Sequence, residues 1–578
     1  MLEYKLKYQE WLNSPIIDEE TKNELRKIEN NEKEIEDRFY KNLTFGTGGL
    51  RGIMGAGTNR MNLYTVGKAT QGLANYICLK NKKQKGVVIA YDSRNFSRNF
   101  ARHAALVLNA NGIKTYMFKE LRPTPELSFA VRELKAIAGI VITASHNPKE
   151  YNGYKVYWED GGQIVPPYDN EIISEVNKIR NLSEVKIVSE DYAKSLNLFY
   201  EIDEEIDNRY IEELKKLIIN NSVIEKNKKD LKIVYTPLHG TGGTLVPKIL
   251  NNLGFEKVYF VQEQLEPCGN FPTVTYPNPE EKTSFKLALA LAQKVDADIV
   301  LATDPDADRL GVYVKDQNTG EYMAFTGNMS GVLMSEYILS QKKEKNLLPE
   351  NGALVKTIVT SNMAVDIAKE YNIHLVNVLT GFKYIGEQIK IFEENKTYEY
   401  LFGFEESYGC LFGTYARDKD AIAAVMMICE IACYAKNLNK TLWNLMVELY
   451  KKYGYYQEDL IYFTLNGKDG SNKINRIMEN LRRDPISEIA KDKVIAIRDY
   501  LIDIRINSLN NEKEKMNMPI SNVLYYELEK NGWVCVRPSG TEPKIKIYMG
   551  VKENSLDKSL TKLEKVKNEI RNILERNL

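Results

Sequence analysis

Short apolar runs alternate along the chain with segments of helical periodicity, and the same order occurs three times. GVVIAYDSR, beginning at Gly86, has the pattern of a buried strand. NFSRNFARHAALVLNANG follows at helical spacing and ends on Gly112, and IKTYMF is a second strand. LKIVYTPLHG, TGGTLVPKILNNLG and FEKVYFVQ repeat this order from Leu231. GALVKTIVT, SNMAVDIAKEYN and IHLVNVLTG repeat it from Gly352. Each triplet predicts a β-α-β unit whose apolar strands are covered on both faces, the pattern of a parallel sheet flanked by helices. Three such units predict three α/β domains of related topology.

The two ends read differently. The first ~40 residues are charged and helix-periodic, with a break at Ser14 and Pro15, and predict an N-terminal helical extension with a solvated face. Near the other end, WVCVRPS and KIKIYMGV read as strands around a tight polar loop. INSLNNEKEKMNM, before them, reads as a loop, and SLDKSLTKLEKVKNEIRNILERNL as a long amphipathic helix. The predicted fold class is therefore α/β with four domains: three related mixed-sheet α/β domains and a C-terminal α+β domain. Expected boundaries are 1–210 (with the extension), 211–325, 326–455 and 456–578.

Composition narrows the function classes. A length of 578 residues agrees with four domains at roughly 150 residues each. Hydrophobic residues at 43% and charged residues at 27% exclude a disordered or low-complexity chain. The 79 Lys and Arg balance the 79 Asp and Glu. No global field draws the chain to nucleic acid or to an anionic membrane, so neither is an expected partner, and anion binding must come from local clusters. Six cysteines form no CxxC pair. Cys429 and Cys433, spaced i,i+4 in AIAAVMMICEIACYA, read as helix core. MLEYKLKYQEWLNS lacks the apolar stretch of a signal peptide. The longest apolar runs fall short of the ~20 residues of a membrane span. A cytoplasmic setting is expected, and oligomeric state is not legible.

Four loops have compositions that suit chemistry. TASHNPKEYNG directly follows the apolar strand AIAGIVI, where ligand sites lie in parallel α/β sheets. There Ser145 stands beside His146, with Lys155 further on. A hydroxyl with a base and a cation suits a phosphoryl acceptor or nucleophile, and a plain Ser-His-Asn-Pro turn explains the segment equally well. There is no GxSxG elbow of a hydrolase.

TDPDADRLGV places Asp304, Asp306 and Asp308 in alternation after the strand ADIVLA. Three clustered carboxylates are costly without a cation, and oxygen-only donors point to Mg²⁺ before Ca²⁺. An EF-hand is excluded, because its Gly would fall at Arg309 and its terminal Glu at Lys315. FGFEESYG offers Glu405, Glu406 and Ser407 to sugar hydroxyls or forms a capped turn, and RDKD follows with Arg417 and Lys419. RPSGTEPK combines Arg537, Ser539, Gly540 and Thr541, either as a phosphate cradle or as a polar hairpin loop. The glycine-rich stretches TFGTGGLRG and HGTGG match neither GxGxxG nor the P-loop, and no strand pattern precedes the first.

TASHNP, DPDADR, FEESYG and RPSGTEPK, in this order and with GTGGLRG and TGFKYIG beside them, resemble the α-D-phosphohexomutases, the phosphoglucomutase/phosphomannomutase superfamily. The segment through TFGTGGLRG is similar to its longer, phosphoglucomutase-2-like bacterial branch. The resemblance implies four domains around a central cleft. It implies an isomerase that interconverts α-D-glucose 1-phosphate and glucose 6-phosphate through a phosphoserine and glucose 1,6-bisphosphate, which also serves as activator. Phosphomannomutase, phosphopentomutase or sugar-1,6-bisphosphate synthase activity are the alternatives, and small-molecule sugar phosphates are the implied partners.

Residue by residue, the resemblance implies that Ser145 carries the phosphoryl group and shares Mg²⁺ with Asp304, Asp306 and Asp308. Arg309 and Lys155 would flank the reacting phosphoryl, with His146 and Arg51 beside it and either Lys155 or His146 as general base. Glu405 and Ser407 would grip sugar hydroxyls near Lys383 and Lys419, and Arg537, Ser539, Gly540 and Thr541 would hold the distal phosphate. Phe404 departs from the Gly that many members have before Glu-Glu-Ser. A haloacid-type phosphatase would instead use Asp304 as nucleophile and give Ser145 no role. A silent binding protein would have no need of all these groups.

Overall fold

The computed structural model describes residues 2–46, 48–465, 467–539 and 544–576. The chain forms two compact units. One comprises Met1–Thr326, Phe382–Gly403 and Ser407–Thr441, and the other Gly327–Gly381, Phe404–Glu406 and Leu442–Leu578.

The first unit opens with the expected extension, the helices Glu3–Asn13, Glu19–Arg26 and Glu32–Phe39. Tyr8, Trp11, Leu25 and Phe39 build a small core of their own, with the Phe39 ring edge-on to both Tyr8 and Trp11. Asp18 and Asn31 cap the second and third helices by accepting from backbone N–H groups that have no partner inside the helix.

Two mixed sheets follow. The first contains β1 (Gly49–Ile53), β2 (Val87–Tyr91), β3 (Thr115–Phe118), β4 (Ala138–Ile142), β5 (Tyr151–Trp158) and β6 (Phe199–Ile202), in the order β1-β5-β4-β2-β3-β6. β4, β2, β3 and β6 run parallel, β5 pairs antiparallel with β4, and β1 pairs antiparallel with β5. The second contains β7 (Lys232–Thr236), β8 (Lys257–Phe260), β9 (Ile299–Thr303), β10 (Leu310–Lys315) and β11 (Tyr322–Phe325), in the order β11-β10-β9-β7-β8. Here β9, β7 and β8 are parallel, β10 pairs antiparallel with β9, and β11 pairs antiparallel with β10. The order β5-β4-β2-β3 of the first sheet is thus matched by β10-β9-β7-β8 in the second. β2, β4 and β9 are buried along their whole length, as all-apolar strands should be. β8 is only half-buried, because it forms the edge of its sheet, so the expectation of cover on both faces fails there.

The third β-α-β unit lies in the second unit. Gly352–Thr357 and His374–Val378 pair in parallel around the helix Met363–Glu370. The later elements of that segment, helix Phe382–Asn395, strand Cys410–Phe412 and helix Ala421–Asn437, belong to the first unit. Cys429 and Cys433 are buried in the last helix, as expected.

The C-terminal domain is an antiparallel sheet. Its order is Tyr455–Thr464, Lys544–Glu553, Trp533–Pro538, Leu524–Leu528, Asp492–Asp499, Ile504–Asn507 and Lys513–Lys515. Residues of the helix Leu556–Glu575 share its core. The stretch expected as a loop is instead the hairpin Ile504–Asn507/Lys513–Lys515. It lies at the sheet edge, and its outer strand is fully exposed, so it lacks the apolar alternation that would have revealed it. Among the described residues no single helix is long and apolar enough to cross a membrane.

Candidate active site

The chemistry sits where two strands end. β4 stops at Ile142 and the chain turns through residues 143–150 before returning as antiparallel β5. β9 stops at Thr303 and turns through residues 304–309 before returning as antiparallel β10. The two turns meet: Ser145 Oγ donates to Asp304 Oδ2 at 2.6 Å and lies 3.1 Å from His146 Nδ1. Ser145 is only 3% exposed, and its φ of 51° lies in the left-handed region that a non-glycine residue occupies only when held there.

Arg94 supplies most of that hold. Its guanidinium donates to the carbonyls of Ser145 and Asn147, to Pro148 at 2.8 Å and to Tyr151 at 3.1 Å. Arg94 is buried, and its Nε lies 3.4 Å from Asp92, so its charge is offset inside the protein. Thr143 Oγ1 accepts from the Ser145 N–H at 2.8 Å. Sequence reasoning misses Arg94, because a lone Arg in YDSR has no spacing signature and its acceptors lie more than fifty residues away.

Asp304, Asp306 and Asp308 are all buried, and each can contribute one carboxylate oxygen to a group lying within 4.8 Å of one another. Asp304 Oδ1 accepts the backbone N–H of Asp308 at 3.1 Å and of Arg309 at 3.0 Å. Asp306 Oδ2 accepts from Lys155 Nζ and Thr124 Oγ1, both at 2.8 Å. The second oxygens of Asp306 and Asp308 are buried with no hydrogen-bond partner. Burial and the neighbouring carboxylates push Asp304 well above the usual carboxylate range. Burial also opposes the charge on Asp306, but Lys155 and its hydrogen bonds outweigh it and hold that carboxyl low. Orphaned carboxylate oxygens in a buried cluster of three acids fit a hard divalent cation. The triad could bind a metal ion.

The HGTGG loop, which matches no P-loop, braces this turn. Thr241 donates from both N (2.8 Å) and Oγ1 (3.0 Å) to the Pro305 carbonyl. A Cβ on Gly240 would lie 2.4 Å from Pro305 Cα, so only glycine permits the approach. The glycines serve backbone contact, which a search for phosphate loops overlooks.

The cations of the site surround the acids. Lys155 reaches Asp306 at 2.8 Å and Asp308 at 3.5 Å. Burial disfavours its charge, but those two aspartates prevail and raise its pKa. Lys419 contacts Asp308 at 3.2 Å and Asp418 at 3.1 Å, and Tyr157 donates to Asp418 at 2.6 Å. His146 is pushed well below its ordinary value by burial and by the Arg309 and Arg51 cations. Of the two candidate bases, then, the imidazole stands neutral and the amine charged.

The other predicted residues are distributed as follows. Arg51, on β1, donates to Asn147 Oδ1 at 3.1 Å and so joins the serine turn. The glycine-rich segment around it is itself a strand, five residues long and paired with β5. Arg309 pairs with Glu280, and its Nε lies 3.7 Å from Asp308. Arg417 is 1% exposed and turned to Glu393 and local carbonyls, so of the two RDKD cations only Lys419 joins the acids. Lys383 lies over the Tyr384 ring at 5.0 Å.

In the second unit, Glu405 Oε1 accepts from the Gly381 N–H at 2.9 Å and Glu406 Oε2 from Thr357 Oγ1 at 3.0 Å. Phe404 is 1% exposed, and a Cβ on Gly331 would lie 1.9 Å from its ring, so the core absorbs this departure from the family pattern. Ser407 begins a segment of the first unit and is half-buried. Arg537 ends the strand Trp533–Pro538, half-buried, and the Ser539 N–H donates to the Lys544 carbonyl at 2.7 Å. Gly540 and Thr541 lie outside the described residues.

Comparison with known proteins gives four successive matches. These are the phosphoglucomutase/phosphomannomutase alpha/beta/alpha domains I (residues 42–183), II (208–319) and III (326–453), and the C-terminal domain (506–572). A phosphoglucomutase from Staphylococcus haemolyticus is 38% identical over 523 residues, covering 90% of this chain and 92% of the relative. A putative phosphomannomutase from Thermus thermophilus shares the fold with a TM-score of 0.68 at 21% identity, over 93% of this chain and 99% of that one. N-acetylphosphoglucosamine mutase from Aspergillus fumigatus, solved with GlcNAc-6P and magnesium, has a TM-score of 0.51 at 13% identity, over 92% and 96%.

Proposed function

The chain belongs to the phosphoglucomutase/phosphomannomutase family of isomerases, and from that premise we propose that it interconverts α-D-glucose 1-phosphate and glucose 6-phosphate. The observation that carries this reading is the 2.6 Å contact of Ser145 Oγ with Asp304, which joins a buried hydroxyl to an acidic triad across two domains. The name of the Staphylococcus haemolyticus relative supports glucose as the sugar.

In the proposed cycle Ser145 carries a phosphoryl group. A hydroxyl of the sugar phosphate attacks its phosphorus and gives up its proton, the Ser145 Oγ–P bond breaks with Oγ taking up a proton, and glucose 1,6-bisphosphate forms. The bisphosphate reorients and returns its other phosphoryl group to Ser145, which is why the same compound serves as activator. The transferring group brings about −1.5 to −2 charge, and Lys155, Arg309 and Arg51 are the cations available to offset it. His146 Nδ1, 3.1 Å from Ser145 Oγ, is the group we assign to the proton at that oxygen, since Lys155 is engaged with Asp306 and Asp308.

Asp304, Asp306 and Asp308 would hold Mg²⁺ together with an oxygen at Ser145, and the bound ion would neutralise charge on the group in transfer. Glu405, Ser407, Lys383 and Lys419 are proposed to bind the sugar. Arg537, Ser539, Gly540 and Thr541 are proposed to bind the phosphate that is not reacting, because an Arg and hydroxyl cradle recognises phosphate whichever carbon bears it. A cytoplasmic setting belongs to the proposal and is supported by six cysteines that form no disulfide.

The test is a panel of glucose, mannose and ribose 1-phosphates assayed with Mg²⁺ and catalytic bisphosphate. Glucose 1-phosphate should turn over fastest and give glucose 6-phosphate. Preference for another sugar, or net bisphosphate accumulation from an external donor, would overturn the assignment.

A further inference from the structure

Thr124 opens the helix Thr124–Glu133 in the same domain as Ser145, and it is fully buried. The first N–H groups of a helix have no partner within it. Thr124 spends its own on the other domain: its N–H donates to the Asp306 carbonyl at 3.0 Å, and its Oγ1 donates to Asp306 Oδ2 at 2.8 Å. Pro125, next in the helix, has no N–H to offer. One residue thus grips both the backbone and the carboxylate of the central member of the triad.

The consequence lies in which oxygen is left. Asp306 Oδ2 takes two donors, Thr124 and Lys155, while Asp306 Oδ1 is buried with no hydrogen-bond partner. A carboxylate pinned through one oxygen has its other oxygen fixed in direction. Such outer contacts orient ligand carboxylates before the ion arrives. The Pro305 carbonyl, one residue earlier, is held by Thr241 from within the second domain. The turn is therefore clamped from both domains, and the Thr124 clamp ties it to the domain that carries Ser145.

We propose that Thr124 is a positioning residue that aims Asp306 at the divalent cation and registers the metal turn against the domain of Ser145. The inference rests on the reading of the triad as a metal site, and Thr124 itself touches neither ion nor sugar phosphate.

The test uses the full chain and Mn²⁺ as the probe, with binding followed by electron paramagnetic resonance in the absence of sugar phosphate. Thr124→Val removes the hydroxyl and keeps the volume. It should weaken Mn²⁺ affinity by about 10- to 100-fold, with an unchanged melting temperature in chelator. Thr124→Ser, which restores the hydroxyl, should return the affinity to the wild-type value. If Thr124→Val fails to fold, Thr124→Ala takes its place under the same criteria. Wild-type affinity in the hydroxyl-free variant would overturn the proposal, as would a Thr124→Ser variant that weakens binding as much as Thr124→Val does, because the hydroxyl would then not account for the loss. The two readings fail separately. A wild-type chain with no Mn²⁺ site overturns the metal triad and this inference together, whereas a chain that binds Mn²⁺ normally but lacks mutase activity overturns only the proposed function.

Discussion

The serine turn after β4 and the aspartate turn after β9 occupy the same place in two sheets of matching strand order, yet they are built on opposite principles. The serine turn is shaped by a buried cation, since Arg94 gathers three of its carbonyls and that of Tyr151 at the start of β5 and is balanced by Asp92 behind it. The aspartate turn is shaped by neutral donors, with Thr241 on the Pro305 carbonyl and Thr124 on that of Asp306. The cations that reach the carboxylates of the second turn, Lys155 and Lys419 on Asp306 and Asp308, come from outside it, and Arg309 at its end turns to Glu280. In the first turn the cation lies against backbone carbonyls, where it favours a phosphate above them. The shared topology sets the position, the clamp sets the shape, and the charge of the clamp decides which chemistry stays available.

This contrast can be broken at either turn. The largest effect is expected from Ser145→Ala, which should lower mutase turnover by on the order of 10⁴-fold or more, while the three aspartates retain a weakened Mn²⁺ site that lacks the Ser145 oxygen. A coupled assay of glucose 6-phosphate formation reads it, and most of the wild-type rate surviving would remove the serine turn from the mechanism. Next comes the aspartate turn. Chelation should abolish turnover, and Mg²⁺ should restore it better than Ca²⁺, because an all-carboxylate set with few ligands suits the smaller ion. Full activity in chelator would leave the triad with no catalytic purpose.

A smaller effect should follow from Arg94→Met. Several buried carbonyls lose their donor and Asp92 loses its counter-charge, so stability should drop by about 3 kcal/mol, measured by denaturant unfolding, and turnover should fall with it. The smallest is Gly240→Ala, where a methyl group 2.4 Å from Pro305 Cα must displace backbone. Destabilisation of about 1–3 kcal/mol and weaker Mn²⁺ binding are expected, with no change at the serine turn. A Gly240→Ala variant with native Mn²⁺ affinity would show that the brace does not set the geometry of the triad.

Much of this was legible in the chain. The β-α-β order predicted three parallel strand pairs, and all three are present at β2/β3, β7/β8 and Gly352–Thr357/His374–Val378. Strand-end placement pointed to Ser145 and to the aspartates because loop chemistry after an apolar strand is visible in one dimension. The clamps were not visible. Arg94, Thr124 and Thr241 act through backbone carbonyls, and carbonyls have no letter in a sequence. Composition also misled at the hairpin 504–515, where an exposed edge strand needs no apolar alternation. The competition between Lys155 and His146 could not be judged before the aspartates were seen to engage the amine.

The account depends most on where phosphate resides. The direct measurement is to incubate the protein with glucose 1,6-bisphosphate, map the phosphorylated residue by mass spectrometry, and chase the label into sugar with glucose 1-phosphate. Phosphate on Ser145 that leaves with the sugar at the rate of turnover is the predicted result. Phosphate on Asp304, or a Ser145 that never becomes labelled, would contradict it.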